Sequence, residues 1–212
     1  MNLATQIIAV LAAGYLIGSI PIAHIVMRVA RKKDLREIGT GNITSTAVMI
    51  HGGRLPGSIS LVGEILKTFL CLYVAYLIAG ELWAYLVMMV IASIGQIWSV
   101  WLKGKGGKGQ TIYAAGFMVL CPIPFLISIG CMLLIFLVSK RFLLANQAWH
   151  IITPPIMLFA LLFNPTIPIL NLGEHSWGYA VTAGVLCSFF FLKNQATNDD
   201  IVQSQAWGSY SR

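Results

Sequence analysis

The chain has 212 residues, of which 58% are hydrophobic and 10% charged, with a formal net charge of +7 and a mean hydropathy of +0.80. A soluble globular domain carries about a quarter charged residues, because its surface must stay hydrated. The composition therefore excludes a soluble protein and predicts one that uses lipid as its main solvent. The length indicates one compact unit of membrane spans rather than several domains.

The positions of the basic residues exclude nucleic acid as a partner. Basic residues lie at the ends of apolar runs, which favours a membrane surface, and no aromatic-plus-basic platform for bases accompanies them. The four cysteines lie within apolar runs without a CxxC spacing or a nearby histidine. We therefore expect neither a metal site nor a disulfide. Separately, we expect no cofactor. The first positive charge, Arg28, follows the first apolar run, so this run is expected to be a retained span and not a cleaved signal peptide.

Apolar runs long enough to cross a bilayer, which takes about 20 residues, follow one another along the chain. The clear candidates are 3–29, 58–80, 82–102, 149–163 and 177–192. Further prolines fall in and after the penultimate run, where neighbouring helices can cover the freed backbone groups.

A longer apolar run over 111–138 is interrupted by Pro122 and Pro124. Each proline removes a backbone donor and clashes with the preceding turn, so a straight helix through both is excluded. Two alternatives remain, a single kinked span and a hairpin of two short helices. Charge favours the hairpin, because a kinked span would move Lys140 and Arg141 to the outside, where the turns otherwise carry acidic residues and no Lys or Arg.

The predicted fold is therefore an all-α polytopic membrane protein with about seven transmembrane helical segments. Its N-terminus is expected outside and its C-terminus in the cytoplasm. Residues 1–193 are predicted to form a single membrane domain, followed by a short cytoplasmic tail over 194–212.

The segment 34–57 is rich in Gly, Ser, Thr and Asn, and we expect a loop there. Gly39, Thr40, Gly41 and Asn42 are followed closely by Thr44, Ser45 and Thr46, so backbone donors and hydroxyls are concentrated in a short stretch. Glycines let the backbone approach a ligand, and successive N–H groups can form an anion nest. The segment is either a connecting loop or an anion site.

The stretch KGKGGKG over 103–109 carries three lysines between apolar runs. It is not a Walker A loop, because Lys108 is followed by glycine rather than Ser or Thr. One alternative is a flexible basic loop attracted to anionic head groups. The other is a phosphate cradle.

Glu64 and Lys67 lie within the second apolar run at a spacing of three residues, on one face of a helix. An unpaired charge in the membrane is costly, so we expect the two side chains to form an ion pair. The pair is either functional or purely structural.

These motifs, taken in order over 14–116, resemble the PlsY-type acyl-phosphate:glycerol-3-phosphate acyltransferases. The resemblance is carried by the elements Gly18-Ser19-Ile20-Pro21, GTGNITST, GRLPG before ExxK, and GQIWSVWLKGKGGKG. It implies a seven-helix membrane fold with the motifs at the cytoplasmic face of the bacterial-type inner membrane. It also implies transfer of an acyl chain from an acyl phosphate to glycerol 3-phosphate, giving lysophosphatidate, without a metal.

The resemblance also implies roles for particular residues. The catalytic residues would be Lys105, Lys108, Thr40 and Asn42. The phosphate would be bound by Gly104, Gly106, Gly107, Gly109, Gly39 and Gly41. Supporting residues would be Ser19, Glu64 and Lys67.

The chain departs from the family pattern at several expected polar positions. Ala47 and Ile50 stand where an asparagine and an arginine are expected, and Gln96 replaces a histidine. Glu64 and Thr68 replace an aspartate and a glycine. The segment FLLANQ lacks the expected serines, and LKNQATNDDIV lacks the expected histidine and arginine. Losing an arginine removes a bidentate clamp on phosphate.

Two hypotheses therefore follow. The first is an acyltransferase with a diverged site, whose partners are acyl phosphate, glycerol 3-phosphate and membrane lipids. The second is a homologue without catalysis that acts as a structural or lipid-binding subunit of a larger membrane complex.

Overall fold

The structure, a computed structural model, describes residues 1–163 and 177–194. Within these ranges the secondary structure is helical and contains no strand, as the all-α prediction requires. The helices are α1 Leu3–Ser19, α2 Ile22–Arg31, α3 Ser45–Gly52, α4 Arg54–Ile78, α5 Leu82–Ile97, α6 Gln110–Leu120, α7 Pro122–Ser139, α8 Phe142–Phe163 and α9 Trp177–Asn194. Short 3₁₀ turns occupy Leu35–Glu37 and Val100–Leu102.

Four helical stretches in the described part of the chain are long and apolar enough to cross a membrane. They are Leu3–Arg31, Arg54–Ile78, Leu82–Leu102 and Pro122–Ser139. Large apolar side chains remain exposed on them; Val138, for example, is 86% exposed and Leu134 64%. Apolar surface of this extent needs lipid around it. The number of crossings and the orientation of the termini stay predictions.

The predicted span over 3–29 corresponds to the apolar stretch Leu3–Arg31, which consists of two helices, because α1 ends at Ser19 and α2 begins at Ile22. Pro21 lies in the break and has no backbone N–H to donate. The carbonyl oxygens of Gly18 and Ile20 instead accept hydrogen bonds from Lys67 Nζ, at 3.2 and 3.1 Å. A buried lysine thus donates to two carbonyl groups at the helix break, and Ile20 O also accepts a hydrogen bond from Ile22 N at 3.1 Å.

The run over 111–138 forms two helices with a break between them. α6 ends at Leu120 and α7 begins at Pro122. The rings of Tyr113 and Phe125 lie 5.7 Å apart, whereas twelve residues of straight helix would separate them by about 18 Å. This contact excludes a straight helix through the two prolines, and the hairpin itself stays a prediction.

Two predicted boundaries are wrong. α8 begins at Phe142 rather than at 149 and contains Pro154 and Pro155. The predicted loop over 34–57 contains α3, which the side chain of Thr44 caps by accepting a hydrogen bond from Ala47 N at 3.0 Å. α3, with eight residues, is too short for a span, and the start of α8 contains the polar residues Asn146 and Gln147, so hydropathy marked neither of them. The predictions for Pro165, Pro168 and the tail after Asn194 lie outside the described residues.

α1 and α5 pack at backbone distance through small residues. A Cβ on Gly18 would lie 2.2 Å from the carbonyl oxygen of Ala92, and a Cβ on Gly95 would lie 2.5 Å from that of Tyr15. Small residues at such crossings allow helices in lipid to gain close van der Waals contact. The contact fixes the C-terminal end of α5, and therefore the lysine-glycine loop that follows it.

Candidate active site

A cavity of about 490 Å³ lies between α4, α6, α7 and α8 and the residues that lead into α3. Its polar lining comes largely from helix ends, namely from the start of α3, the end of α5 and the starts of α6 and α8. The polar lining residues are Thr44, Ser45, Thr46, Gln96, Lys108, Gln110, Thr111 and Asn146, together with Glu64 in the middle of α4. Its apolar lining includes Leu61, Ile65, Phe69, Ala114, Ala115, Met118, Phe125, Ile129, Phe142 and Trp149. The cavity is therefore amphipathic and suits a ligand with a polar head and an apolar chain.

The lysine-glycine loop over 103–109 is fixed against the end of α5. Gly107 N donates a hydrogen bond to Gln96 O at 2.9 Å, and Gly104 N donates to Ser99 O at 2.9 Å. A Cβ on Gly106 would lie 2.1 Å from Gln96 O, and a Cβ on Gly107 would lie 2.5 Å from Ile43 O. The glycines thus permit close backbone packing, which argues against the flexible-loop alternative.

Lys108 and Gly109 line the cavity, and Gly109 immediately precedes α6. Lys105 is exposed, and it is not among the lining residues. Gly104, Gly106 and Gly107 are not lining residues either. Of the predicted phosphate loop, the structure brings only Lys108 and Gly109 to the cavity.

The predicted anion segment over 39–42 lies next to the cavity lining but does not contribute to it. Asn42 is buried, and its Nδ2 donates a hydrogen bond to Thr40 Oγ1 at 2.9 Å. Gly39 and Gly41 have positive φ angles of 56° and 73°, a conformation that favours glycine. None of these four residues lines the cavity.

The hydroxyl residues that follow reach the cavity instead, namely Thr44, Ser45 and Thr46. Ser45 Oγ also lies 2.9 Å from Ser60 Oγ on α4. The Ser- and Thr-rich composition of the segment over 34–57 indicated that hydroxyl groups could form part of a site. Only the fold shows that they, and not Thr40, face the cavity.

The predicted ion pair is present and buried. Lys67 Nζ lies 2.6 Å from Glu64 Oε2, and both residues are 4% exposed. Gln96 Nε2 donates a second hydrogen bond to Glu64 Oε2 at 2.9 Å. Glu64 lines the cavity and Lys67 does not. Ser19, the third supporting residue, is buried outside the cavity, and its carbonyl accepts a hydrogen bond from Ser99 Oγ at 2.6 Å.

Sequence reasoning missed Gln110 and Asn146. Gln110 Nε2 donates a hydrogen bond to Asn146 Oδ1 at 2.7 Å, which joins the start of α6 to the start of α8 across the cavity lining. Asn146 lies in the segment FLLANQ. Because α8 was predicted to begin at residue 149, this segment was interpreted as a connection between helices. His51 and Arg54, which follow the missing arginine position, do not line the cavity.

Asp34 anchors the segment before α3 to α2. Its carboxylate is 2.7 Å from both Arg28 Nη2 and Arg36 Nη2. The hydrogen bonds from the Arg36 guanidinium hold the pKa of this carboxyl well below its usual range. Arg28 and Arg36 are thus committed to a structural ion pair, and neither replaces the missing arginine in the cavity.

The fold and the cavity define an integral membrane protein of helices with an amphipathic site between them. A family model described as glycerol-3-phosphate acyltransferase matches residues 8–203. The chain is 32% identical over 157 residues to the glycerol-3-phosphate acyltransferase of Endomicrobium trichonymphae, covering 74% of this chain and 78% of that one. It is 41% identical over 102 residues to that of Nitrobacter winogradskyi, covering 48% and 52%. The chain belongs to the glycerol-3-phosphate acyltransferase family.

A solved structure shares the fold. The crystal structure of PlsY, an integral membrane glycerol 3-phosphate acyltransferase, in its glycerol 3-phosphate form aligns with a TM-score of 0.68 at 23% identity. The alignment covers 90% of this chain and 88% of that one. The likeness confirms the predicted PlsY-type membrane fold.

Proposed function

We propose that this protein transfers an acyl chain from an acyl phosphate to a hydroxyl of glycerol 3-phosphate and releases lysophosphatidate and inorganic phosphate. The bond from the acyl carbon to the phosphate oxygen breaks, an ester bond forms, and the hydroxyl proton leaves with the phosphate. The amphipathic cavity carries this proposal, because both the acyl phosphate and the product have one anionic head and one apolar chain. The relatives reported above are all named as acyltransferases, and none supports the alternative of an inactive subunit.

The polar part of the cavity suits phosphate. Lys108 supplies a positive charge, and α6 begins directly after Gly109 with Gln110 and Thr111 on the lining. The first N–H groups of a helix have no partner within it and attract anions. Lys108 and the start of α6 would therefore bind the phosphate and stabilise the charge that develops as it leaves.

The remaining predicted residues would act around this site. Exposed Lys105 would attract anionic substrates from solution. The hydrogen-bonded pair Thr40 and Asn42 would hold the segment that presents Thr44 to the cavity. An acyl phosphate is a mixed anhydride with a good leaving group, so positioning and charge stabilisation suffice and no cofactor is required.

The apolar part of the cavity would hold the acyl chain. It is bounded by side chains of α4, α6 and α7, among them Phe69, Met118 and Ile129. We further propose a single membrane domain in the cytoplasmic membrane, with the N-terminus outside and the motif loops facing the cytoplasm. Glycerol 3-phosphate would then enter from the cytoplasm and the acyl donor from the lipid.

The test is formation of lysophosphatidate by the purified protein from an acyl phosphate and glycerol 3-phosphate. Lys108→Gln should lower kcat/KM about a hundredfold, because it removes the positive charge on the cavity lining. Lys105→Gln should lower it only a few fold, by weakening attraction at a distance. Lys103→Gln, on the exposed part of the same loop, is the matched control and should leave the rate unchanged.

An active family member assayed in parallel shows that the substrates are competent. No product above background from the wild-type protein, beside product from that control, would contradict the proposed function. Stoichiometric partners in mild detergent together with that result would support the inactive-subunit hypothesis instead.

A further inference from the structure

The cavity lining contains two side chains of opposite charge among the described residues, Lys108 and Glu64. Lys108 suits phosphate. Glu64 repels phosphate, and both proposed substrates carry one. The carboxylate of Glu64 therefore does not serve phosphate binding, and the contacts around it indicate what it can bind.

Lys67 holds Glu64 but is not available to a substrate. Its ammonium group has three protons, and three oxygen atoms lie within reach, namely Glu64 Oε2 at 2.6 Å, Gly18 O at 3.2 Å and Ile20 O at 3.1 Å. The side chain is 2% exposed. Lys67 thus fixes Glu64 to the break between α1 and α2.

Gln96 holds the same carboxylate oxygen from the other side. Its Nε2 donates to Glu64 Oε2 at 2.9 Å, and only the amide nitrogen can face a carboxylate in this way. Both holding contacts therefore engage Oε2. No described residue donates a hydrogen bond to Glu64 Oε1, although Glu64 lines the cavity.

A carboxylate oxygen only accepts hydrogen bonds, so Oε1 suits a ligand that donates them. Of the two proposed substrates, glycerol 3-phosphate has hydroxyl donors, and the acyl phosphate dianion has none. The opposite charges of Lys108 and Glu64 would also orient glycerol 3-phosphate, with its phosphate toward the lysine and its hydroxyls toward the carboxylate.

We propose that Glu64 is a positioning and specificity residue that recognises a hydroxyl of glycerol 3-phosphate through Oε1, with Lys67 and Gln96 holding the carboxylate in place. This inference rests on the proposed function. The recognition belongs to substrate binding, however, so binding can test it without turnover.

The experiment compares binding of glycerol 3-phosphate and of propyl phosphate, which lacks both hydroxyls, by calorimetry of the purified full chain. The wild-type protein should bind glycerol 3-phosphate about tenfold more tightly, because a hydroxyl bound to a charged acceptor is lost in the analogue. Glu64→Gln keeps an oxygen for Lys67 and Gln96 and turns an NH₂ group toward the cavity. It should abolish the preference while binding propyl phosphate at least as tightly as the wild type, because the repelling charge is gone.

Glu81→Gln, in the exposed turn before α5, is the matched control and should keep the preference. If Glu64→Gln does not fold, Glu64→Gln combined with Lys67→Met removes both buried charges and is expected to give the same result. A preference that survives the variant, or equal weakening of both ligands, would assign Glu64 a structural role and overturn the inference. A wild-type protein that shows no preference, or binds neither ligand, would overturn it as well. Absence of lysophosphatidate in the activity assay bears on the proposed function and leaves this comparison decisive.

Discussion

Gly106 and Gly107 lie where the lysine-glycine loop meets backbone carbonyl groups of other segments. A side chain at Gly106 would collide with Gln96 O and Ile97 O, at 2.1 and 2.6 Å. The resemblance assigns these glycines to phosphate binding, but their packing gives an additional reason why no larger residue fits. The same loop places Lys108 on the cavity lining, so a change in the loop conformation would move Lys108.

Gly106→Ala is therefore expected to lower the free energy of unfolding by about 1–3 kcal/mol, because the clash is with backbone and cannot be relieved by a side-chain rotation. Thermal unfolding in detergent measures the change. Gly130→Ala on α7 is the matched control, since a Cβ there meets nothing within 4 Å, and alanine favours a helix. Equal unfolding temperatures for the two variants would show that the loop accommodates the methyl group without loss of stability, which would contradict the prediction.

The hairpin of α6 and α7 determines which side of the membrane the following segments face. Pro122 begins α7, where its missing N–H costs nothing because the first turn of a helix has no internal acceptors for it. Tyr113 and Phe117 of α6 pack against Phe125 of α7, with ring centroids 5.7 and 6.3 Å apart. The predicted reversal would return Lys140 and Arg141 to the side from which α6 starts.

A cysteine placed at Lys140 should therefore be labelled by a membrane-impermeant thiol reagent from the cytoplasmic side only. The background for this experiment is a variant without the four natural cysteines. A cysteine placed at Glu81 should show the opposite sidedness, because the proposed topology puts that turn outside. Labelling of both positions from the same side would contradict the orientation.

At the scale of the whole molecule, parts of the six helices α3 to α8 and of the loops before α3 and α6 line the cavity. Ala114 and Ala115 of α6 line it together with Leu61 and Ile65 of α4. Their small side chains leave the space that the proposed acyl chain would fill. The site is thus a property of the packed helices and not of a single motif.

Ala115→Trp should fill part of the apolar half of the cavity and leave Lys108 in place. We expect kcat/KM for a long-chain acyl phosphate to fall at least tenfold, and the value for acetyl phosphate to change less than twofold. The ratio of the two values is the measurement. Leu77→Trp, at an exposed position of α4 and outside the cavity lining, is the control for the bulk of the new side chain. An equal loss with both substrates would place the acyl chain elsewhere.

The sequence by itself determined the solvent, the helical class and the family. Hydropathy sets the membrane environment, prolines set the α6–α7 break, and the isolated pair Glu64 and Lys67 had to neutralise each other in an apolar run. Each of these follows from local chemistry, which the order of residues contains.

Only the tertiary structure decided which polar groups share the cavity. Within one loop Lys108 faces it and Lys105 does not, and Asn146 meets Gln110 across a gap of 36 residues in the chain. It also showed that the Lys67 ammonium group contacts Glu64 and the carbonyl oxygens of Gly18 and Ile20 at the α1–α2 break. The physical reason is that these relations depend on which helix ends pack together, and composition and spacing do not encode that packing locally.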